Sequence, residues 1–165
     1  MSGIRLGHGL DVHAFADAAS RPLVLCGVQV PGAPGLAGHS DGDVAAHAVA
    51  DAVLGAAALG DLGSRFGVDD PSLAGARSIL LVEEVVADAR DAGWRVGNVD
   101  LTVVAQRPRL APHRDGMRRR LALACRVDLT DVSVKLTSTD HLGSIGRGEG
   151  IAAWATCVIT AVDPV

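Results

Sequence analysis

The sequence predicts an α+β fold, a mixed β-sheet with helices packed on one of its faces. Three observations carry this expectation. Apolar residues recur at strand spacing in some segments and at helical spacing in others, in the order strands, helix, helix, strand, helix, strand, strand. Gly and Pro separate the segments. The apolar content is 48% while aromatics are only 2%, with no tyrosine, so Ala, Val, Leu and Gly must fill the core, which suits close packing of helices on a sheet.

Residues 4–15 mix apolar and polar positions and read as extended. Residues 23–26 and 28–30 flank Gly27 as a short hairpin, followed by a Gly/Pro loop over 31–38. Residues 41–59 form a helix, with Val44, Ala45, Ala48, Val49, Ala52, Val53 and Ala56 at helical spacing. Ser40 or Asp41 is expected to cap its start and Gly60 to end it. A second helix spans 76–92 before Gly93. A strand over 95–106 points Val99, Leu101 and Val103 to one face, and a third helix covers 110–125. Strands at 132–137 and 151–162, joined by a Gly-rich loop, complete the sheet.

The 165 residues fit a single domain, 1–165, able to bury roughly 70% of its unfolded surface. The net charge of -4 disfavours nonspecific binding to nucleic acid or to an anionic membrane. Arginines crowd the stretch 107–120. Arg118, Arg119 and Arg120 read as a solvated helix face, whereas Arg107 and Arg109, flanking Pro108 at a strand end, suit phosphate or nucleotide contact. Cys26, Cys125 and Cys157 lie among apolar residues, an odd count that reads as reduced, buried thiols in a cytoplasmic protein. No signal peptide or membrane-length apolar run is visible.

Asp11 and His13, two apart in a strand, share a face and pair a carboxylate with an imidazole. Alone, D-x-H is a weak signal, equally met by a surface Asp and a chance His. His47 strengthens it: Asp43, His47 and Asp51 form a polar stripe on a helix otherwise made of Ala, Val, Leu and Gly. In a buried helix such a stripe is costly unless paired or ligated. Two histidines and a carboxylate suit zinc with an open position, and Asp43 or Asp51 is expected to accept the far N–H of His47. His39 and Ser40, at the start of that helix, can reach a phosphate. Thr137, Ser138 and Thr139 place three hydroxyls at a strand end, and Asp140 can hold Mg²⁺ shared with substrate phosphates. The glycines at 143, 146, 148 and 150 fit no nucleotide fingerprint. His8 reads as structural, His113 as a helix start and His141 as a solvated loop residue.

These residues stand in segments that resemble the 2-C-methyl-D-erythritol 2,4-cyclodiphosphate synthase family: GHGLDVHAF (7–15), AGHSDGDVAAHAVADAVLGAAALGDLG (37–63), NVDLTVVAQRPRL (98–110) and TSTDHLGSIGRGEGIAAWA (137–155). The resemblance implies a homotrimer with active sites at subunit boundaries. It implies zinc at Asp11, His13 and His47, and Mg²⁺ or Mn²⁺ held by Asp140 between the diphosphate groups. His39 and Ser138 match transition-state-stabilising positions. Asp61 and Gly63 match a contact to the methylerythritol end. The segment 105–111, with Ala105 and Arg109, and Thr137 to Thr139 match cytidine and phosphate contacts. Arg147, beside Glu149, matches a position near an apolar cavity on the threefold axis that can hold isoprenoid diphosphates. The implied substrate is 4-diphosphocytidyl-2-C-methyl-D-erythritol 2-phosphate, cyclised with loss of cytidine monophosphate in the non-mevalonate route. The length suits the cyclase alone, without a fused cytidylyltransferase.

Four positions depart from the family pattern. Asp140 replaces a more usual Glu, Ser138 a Thr, Ser144 a Phe and Val68 an Asp, leaving Asp69 or Asp70 for the last contact. Two other readings compete: a metal-dependent phosphatase or nucleotide diphosphate hydrolase, in which two metals activate water, and a non-catalytic trimer that binds isoprenoid diphosphates.

Overall fold

The computed structural model describes residues 3–17, 21–67 and 75–162; Val68, Asp69 and Asp70 lie outside them. Strand β1 (Ile4–Ala14) is followed by a hairpin of β2 (Pro22–Leu25) and β3 (Val28–Pro34). Helices α1 (Val44–Ala57), α2 (Leu62–Phe66) and α3 (Ser78–Asp91) come next. Strand β4 (Trp94–Val104), α4 (Arg114–Cys125), β5 (Val132–Thr137), the short α5 (Gly143–Gly146) and β6 (Gly150–Ala161) complete the order. The main sheet runs β1-β6-β4-β5. β4 and β5 pair in parallel and the other pairs are antiparallel, so the sheet is mixed as predicted.

Alternation decides which face the helices cover. Val99, Leu101 and Val103 of β4 and Ile151, Ala153, Ala155, Cys157 and Ile159 of β6 are buried beneath α1, α3 and α4. The opposite face carries Ile4, Leu6, Leu10, Val12 and Trp154, all exposed. The three cysteines are free and buried. Among the described residues, no helix is long and apolar enough to cross a membrane.

The contact between α1 and β1 sets the position of the site. A Cβ on Gly7 would lie 1.8 Å from the Ala52 carbonyl oxygen, and one on Gly9 2.0 Å from that of Ala48. The helix backbone therefore rests directly on the strand, which requires Gly on one side and Ala on the other. Ala52 beside Gly7 and Ala48 beside Gly9 make the two elements antiparallel. Asp11 then falls level with the first turn of α1, and His47, next to Ala48, reaches it with a side chain that tilts toward the helix start.

Several boundaries differ from the sequence reading. The helix expected over 41–59 begins at Val44, with Asp43 as its cap, because the Asp43 side chain accepts from the Ala46 N–H. It ends on Ala58 in the left-handed conformation, before Gly60. The hairpin continues through part of the expected loop, to Pro34. Helix α2 was not foreseen; Asp61 and Ser64 exchange hydrogen bonds in a capping box at its start. The helix expected from 110 opens with a 3-10 turn, Ala111–His113. Arg118 is not merely solvated: it donates to the carbonyls of Val132 and Leu129 at 2.9 and 3.0 Å, tying α4 to the start of β5.

Candidate active site

Strand alternation turns Asp11 and His13 to the helix-bearing face, where α1 supplies His47. Asp11 Oδ2 lies 2.9 Å from His13 Nε2 and 3.0 Å from His47 Nδ1. One ligand atom from each of the three residues falls within 4.8 Å of the others. The hydrogens on the far sides of the two rings are fixed. His13 Nδ1 faces the Ala37 carbonyl, which can only accept. His47 Nε2 faces the hydroxyls of Ser78 at 2.9 Å and Ser40 at 3.1 Å. Ser78 in turn donates to Asp41 Oδ1 at 2.5 Å, so it offers His47 a lone pair. Two imidazole lone pairs and a carboxylate oxygen thus converge, and what joins them must be positive, a proton or a metal ion. The donor set of two nitrogens and one oxygen fits a divalent ion such as zinc.

The electrostatics agree. Burial alone would raise the Asp11 carboxyl, but hydrogen bonds and charge from His13 and His47 outweigh it and hold it well below the usual carboxylate range. The Asp11 carboxylate in turn holds His13 above its ordinary 6.5, against the effect of burial.

The triad opens on a cavity of about 310 Å³, also lined by His39, Ser40, Asp51, Leu62, Gly63 and Phe66. Asp61 caps α2 and so fixes the Gly63 turn at this wall. The acceptor for His47 is corrected from the sequence reading. Asp43 is fully buried and accepts from the backbone N–H groups of Cys26, Gly27 and Ala46, locking the hairpin turn to the start of α1. Burial pushes its carboxyl up to about 6, against those three donors. Asp51 faces the cavity and accepts from the Leu62 N–H at 2.8 Å; burial raises its carboxyl too. The hydroxyls of Ser40 and Ser78 take the place expected of these two carboxylates. Ser40 supports His47 and also lines the cavity wall. Ser78 was missed as a partner of His47, and Asp41 as the partner of Ser78.

The second predicted group gathers at the ends of β4 and β5. Ala105, Arg107, Arg109, Thr137 and Ser138 line a cavity of about 390 Å³. Just beyond it, Ser138 donates to Asp140 Oδ1 at 3.0 Å and Thr139 donates to the Leu142 carbonyl at 2.7 Å. Asp140 and His141 both have positive φ, 49° and 67°. Arg107 reaches the Gly148 carbonyl at 3.3 Å, and Arg147 pairs with Glu149 at 2.6 Å. The two cavities share no lining residue, and the possible metal-ligand group among the described residues comprises Asp11, His13 and His47 without Asp140. Within one chain, then, Asp140 and Arg109 do not join the triad.

Known proteins give this geometry a context. Residues 4–160 match the YgbB family. Proteins named 2-C-methyl-D-erythritol 2,4-cyclodiphosphate synthase from Shewanella sp. (strain ANA-3) and Shewanella baltica (strain OS223) are 50% and 51% identical over 157 residues. Those residues are 95% of this chain, and 98% and 96% of the relatives. The structure matches the bifunctional IspDF from Campylobacter jejuni with a TM-score of 0.94 and 39% identity, covering 99% of this chain but 44% of that one. It matches Plasmodium falciparum IspF, solved as a CDP complex, with a TM-score of 0.84 and 28% identity, covering 98% of both chains. With a match over nearly its whole length and relatives at half identity, the chain belongs to the YgbB family.

Proposed function

We propose that the protein cyclises 4-diphosphocytidyl-2-C-methyl-D-erythritol 2-phosphate to 2-C-methyl-D-erythritol 2,4-cyclodiphosphate, releasing cytidine monophosphate, in the non-mevalonate route to isoprenoid precursors. The observation that carries this reading is the Asp11–His13–His47 triad, whose lone pairs converge at the wall of a cavity large enough for a phosphorylated polyol. The names of the relatives at half identity support it.

Ring closure needs positioning and charge neutralisation rather than a protein nucleophile. An oxygen of the 2-phosphate attacks the β-phosphorus. The bond from that phosphorus to the bridging oxygen breaks, and cytidine monophosphate leaves with the bridging oxygen. The nucleophile is already an anion, so no general base is required. Asp11, His13 and His47 hold zinc and Asp140 holds Mg²⁺ or Mn²⁺; divalent ions there offset the charge of the diphosphate. His39 stands at the triad cavity to stabilise the transition state from one side, and the Ser138 hydroxyl from the other. Asp61 and Gly63 border the methylerythritol end, with Asp51 on the same cavity wall. Ala105, Arg109, Thr137 and Thr139 hold the cytidine and its phosphates, and Arg147 adds positive charge nearby.

The separation of the two cavities within one chain supports sites shared between subunits of a homotrimer. The uncovered sheet face supports self-association as well: Ile4 is 72% exposed and Leu6 67%. Asp100 Oδ1 of β4 and Thr160 Oγ1 of β6, buried polar atoms without a partner among the described residues, alternate with buried Leu101 and Ile159 and so belong to the same uncovered face. The free, buried thiols suit a cytoplasmic enzyme.

Phosphorus NMR of the protein with this substrate, zinc and Mg²⁺ tests the reading. We expect cytidine monophosphate and a coupled pair of ring phosphorus signals, with no oxygen taken up from labelled water. An opened phosphate monoester carrying solvent oxygen would instead identify a hydrolase. The His47→Ala variant should keep the fold while losing zinc and at least ~10³-fold in turnover, given the several kcal/mol a metal contributes to such a transition state.

A further inference from the structure

The hydrogen bonds behind His47 form a closed chain that ends on a carboxylate. Ser78 is the first residue of α3 and is 1% exposed. Its single hydroxyl hydrogen goes to Asp41 Oδ1 at 2.5 Å, since an ionised carboxylate can only accept. That leaves the Ser78 oxygen with lone pairs alone. Ser40 Oγ, 3.0 Å from Ser78 Oγ, can give its own hydrogen to one of them. Both hydroxyls then face His47 Nε2 as acceptors, at 2.9 and 3.1 Å. Three donors converge on Asp41 Oδ1: the Ser78 hydroxyl and the backbone N–H groups of Ser78 and Asp43, the latter two at 3.2 and 3.3 Å. Ser40 and Ser78 are both buried, so water has little access to replace either.

We propose that Asp41, acting through Ser78, is a positioning residue for the metal ligand His47. It sets the direction of every hydrogen in the chain, so that the neutral imidazole carries its proton on Nε2 and presents the Nδ1 lone pair beside Asp11 Oδ2 and His13 Nε2. The contact local to His47 pulls the other way: Asp11 Oδ2, 3.0 Å from Nδ1, favours a proton there, so only the acceptors behind Nε2 can hold the ring proton away from the metal-binding nitrogen. Without the carboxylate, the Ser78 hydrogen could turn to Nε2 and leave the ring proton on Nδ1, where a metal must bind. The arrangement also joins the 39–43 turn to the first residue of α3, so two elements far apart in sequence orient a single ligand. This inference rests on the reading of Asp11, His13 and His47 as a metal site, and it concerns which residues make that site competent.

Two measurements test it on the full-length protein. The first is long-range ¹⁵N–¹H NMR of the His47 ring in the metal-free protein, at a pH where the ring is neutral. We expect the Nε2–H tautomer; the Nδ1–H tautomer in the unaltered protein would overturn the proposal outright. The second is the zinc dissociation constant, from competition with a chelator. Ser78→Ala removes the link and frees the Ser40 hydrogen to turn to Nε2. It should populate the Nδ1–H tautomer and raise the dissociation constant about 10- to 100-fold, the usual effect of removing a partner behind a metal-bound histidine. An unchanged tautomer and unchanged affinity in a folded Ser78→Ala would reduce the network to scaffolding and overturn the proposal. Asp41→Asn keeps an oxygen that can accept from the same donors and changes only the charge. It should retain the Nε2–H tautomer and weaken zinc several-fold, and full affinity in this variant would remove Asp41 from the role. If the unaltered protein binds no zinc at all, the metal reading fails instead, while the tautomer measurement still decides whether the chain of hydrogen bonds is as described.

Discussion

The two ends of the proposed active site are built in opposite ways. At the triad, every donor atom is held from behind: His13 by the Ala37 carbonyl, His47 by Ser78 and Ser40, Asp11 by the Val12 N–H on its other oxygen. The two contacts to His47 are partly buried, and those to Ala37 and Ser78 reach across 24 and 31 positions, whereas Ser40 lies 7 positions from His47 and Val12 is adjacent to Asp11. At the β4–β5 end, Ser138, Thr139 and Asp140 are bonded to near neighbours in a turn that is largely exposed. The first region is preorganised for a fixed ion, and its geometry is a property of the fold. The second is a local turn whose polar atoms satisfy one another and can exchange those bonds for phosphate oxygens. Changes to the fold should therefore damage the first region, and changes to the turn should act on substrate handling alone.

The largest effect is expected from Gly9→Ala, which alters no functional group. The added Cβ would sit 2.0 Å from the Ala48 carbonyl oxygen, far inside van der Waals contact, so α1 must move away from β1. Overpacking of this kind costs about 1–3 kcal/mol, which lowers Tm by roughly 5–10 °C in a chain of this size. The same displacement separates His47 from Asp11. Zinc affinity should fall by more than tenfold, while binding of a cytidine nucleotide at the β4–β5 cavity is retained. Calorimetry with and without zinc, together with nucleotide titration, checks this. Normal zinc affinity would show that the triad does not depend on the contact between α1 and β1.

A smaller effect, which sharpens the same contrast, is the response to pH. Asp11 holds the His13 proton above 6.5. A metal must displace that proton, so zinc affinity should fall as pH drops through the raised value, while Asp11, held far below its ordinary range, stays ionised throughout. The stability of the metal-free protein runs the other way. A histidine whose folded value is raised contributes stability that is complete below pH 6.5 and is lost as pH rises through the folded value. Between pH 6 and 8, the gain in Tm on adding zinc should therefore grow with pH. A pH-independent gain would mean that His13 carries no proton to displace.

Much of this region is legible in the sequence, for identifiable reasons. Asp11 and His13 fall two apart in a strand, and His47 interrupts an apolar helix; both are periodic signals, and both residue groups end in the triad. The sheet strands were legible for the same reason. The partners behind the ligands were not. Ser78 lies 31 positions from His47, and only the packing of α3 beside α1 brings it there. Ser40, Asp41 and Asp43 are all good helix-capping residues, so local rules cannot choose among them. The choice falls to Asp43 because it also ties down the hairpin turn at Cys26 and Gly27. The short helices α2 and α5 span 5 and 4 residues, too few for a periodic pattern to register.

The smallest effect should come from the exposed turn. In Asp140→Asn the shape is kept and the Asn oxygen still accepts from Ser138, so neither fold nor zinc content should change. What is lost is one negative charge offered to a hard cation. The expected consequence is a higher Mg²⁺ requirement, with half-maximal activity shifted upward about tenfold, and turnover largely recovered at saturating Mg²⁺. Because Asp140 is a methylene shorter than Glu, Asp140→Glu should shift the requirement the other way or leave it unchanged. Measuring turnover against Mg²⁺ concentration at constant zinc separates the outcomes. Loss of zinc from Asp140→Asn would mean that the exposed turn and the buried triad are coupled after all, and that the division between a rigid half and an adaptable half is wrong. A displaced Mg²⁺ curve with full zinc occupancy would place the adaptable half where the local, exposed hydrogen bonding of Ser138 and Asp140 already puts it.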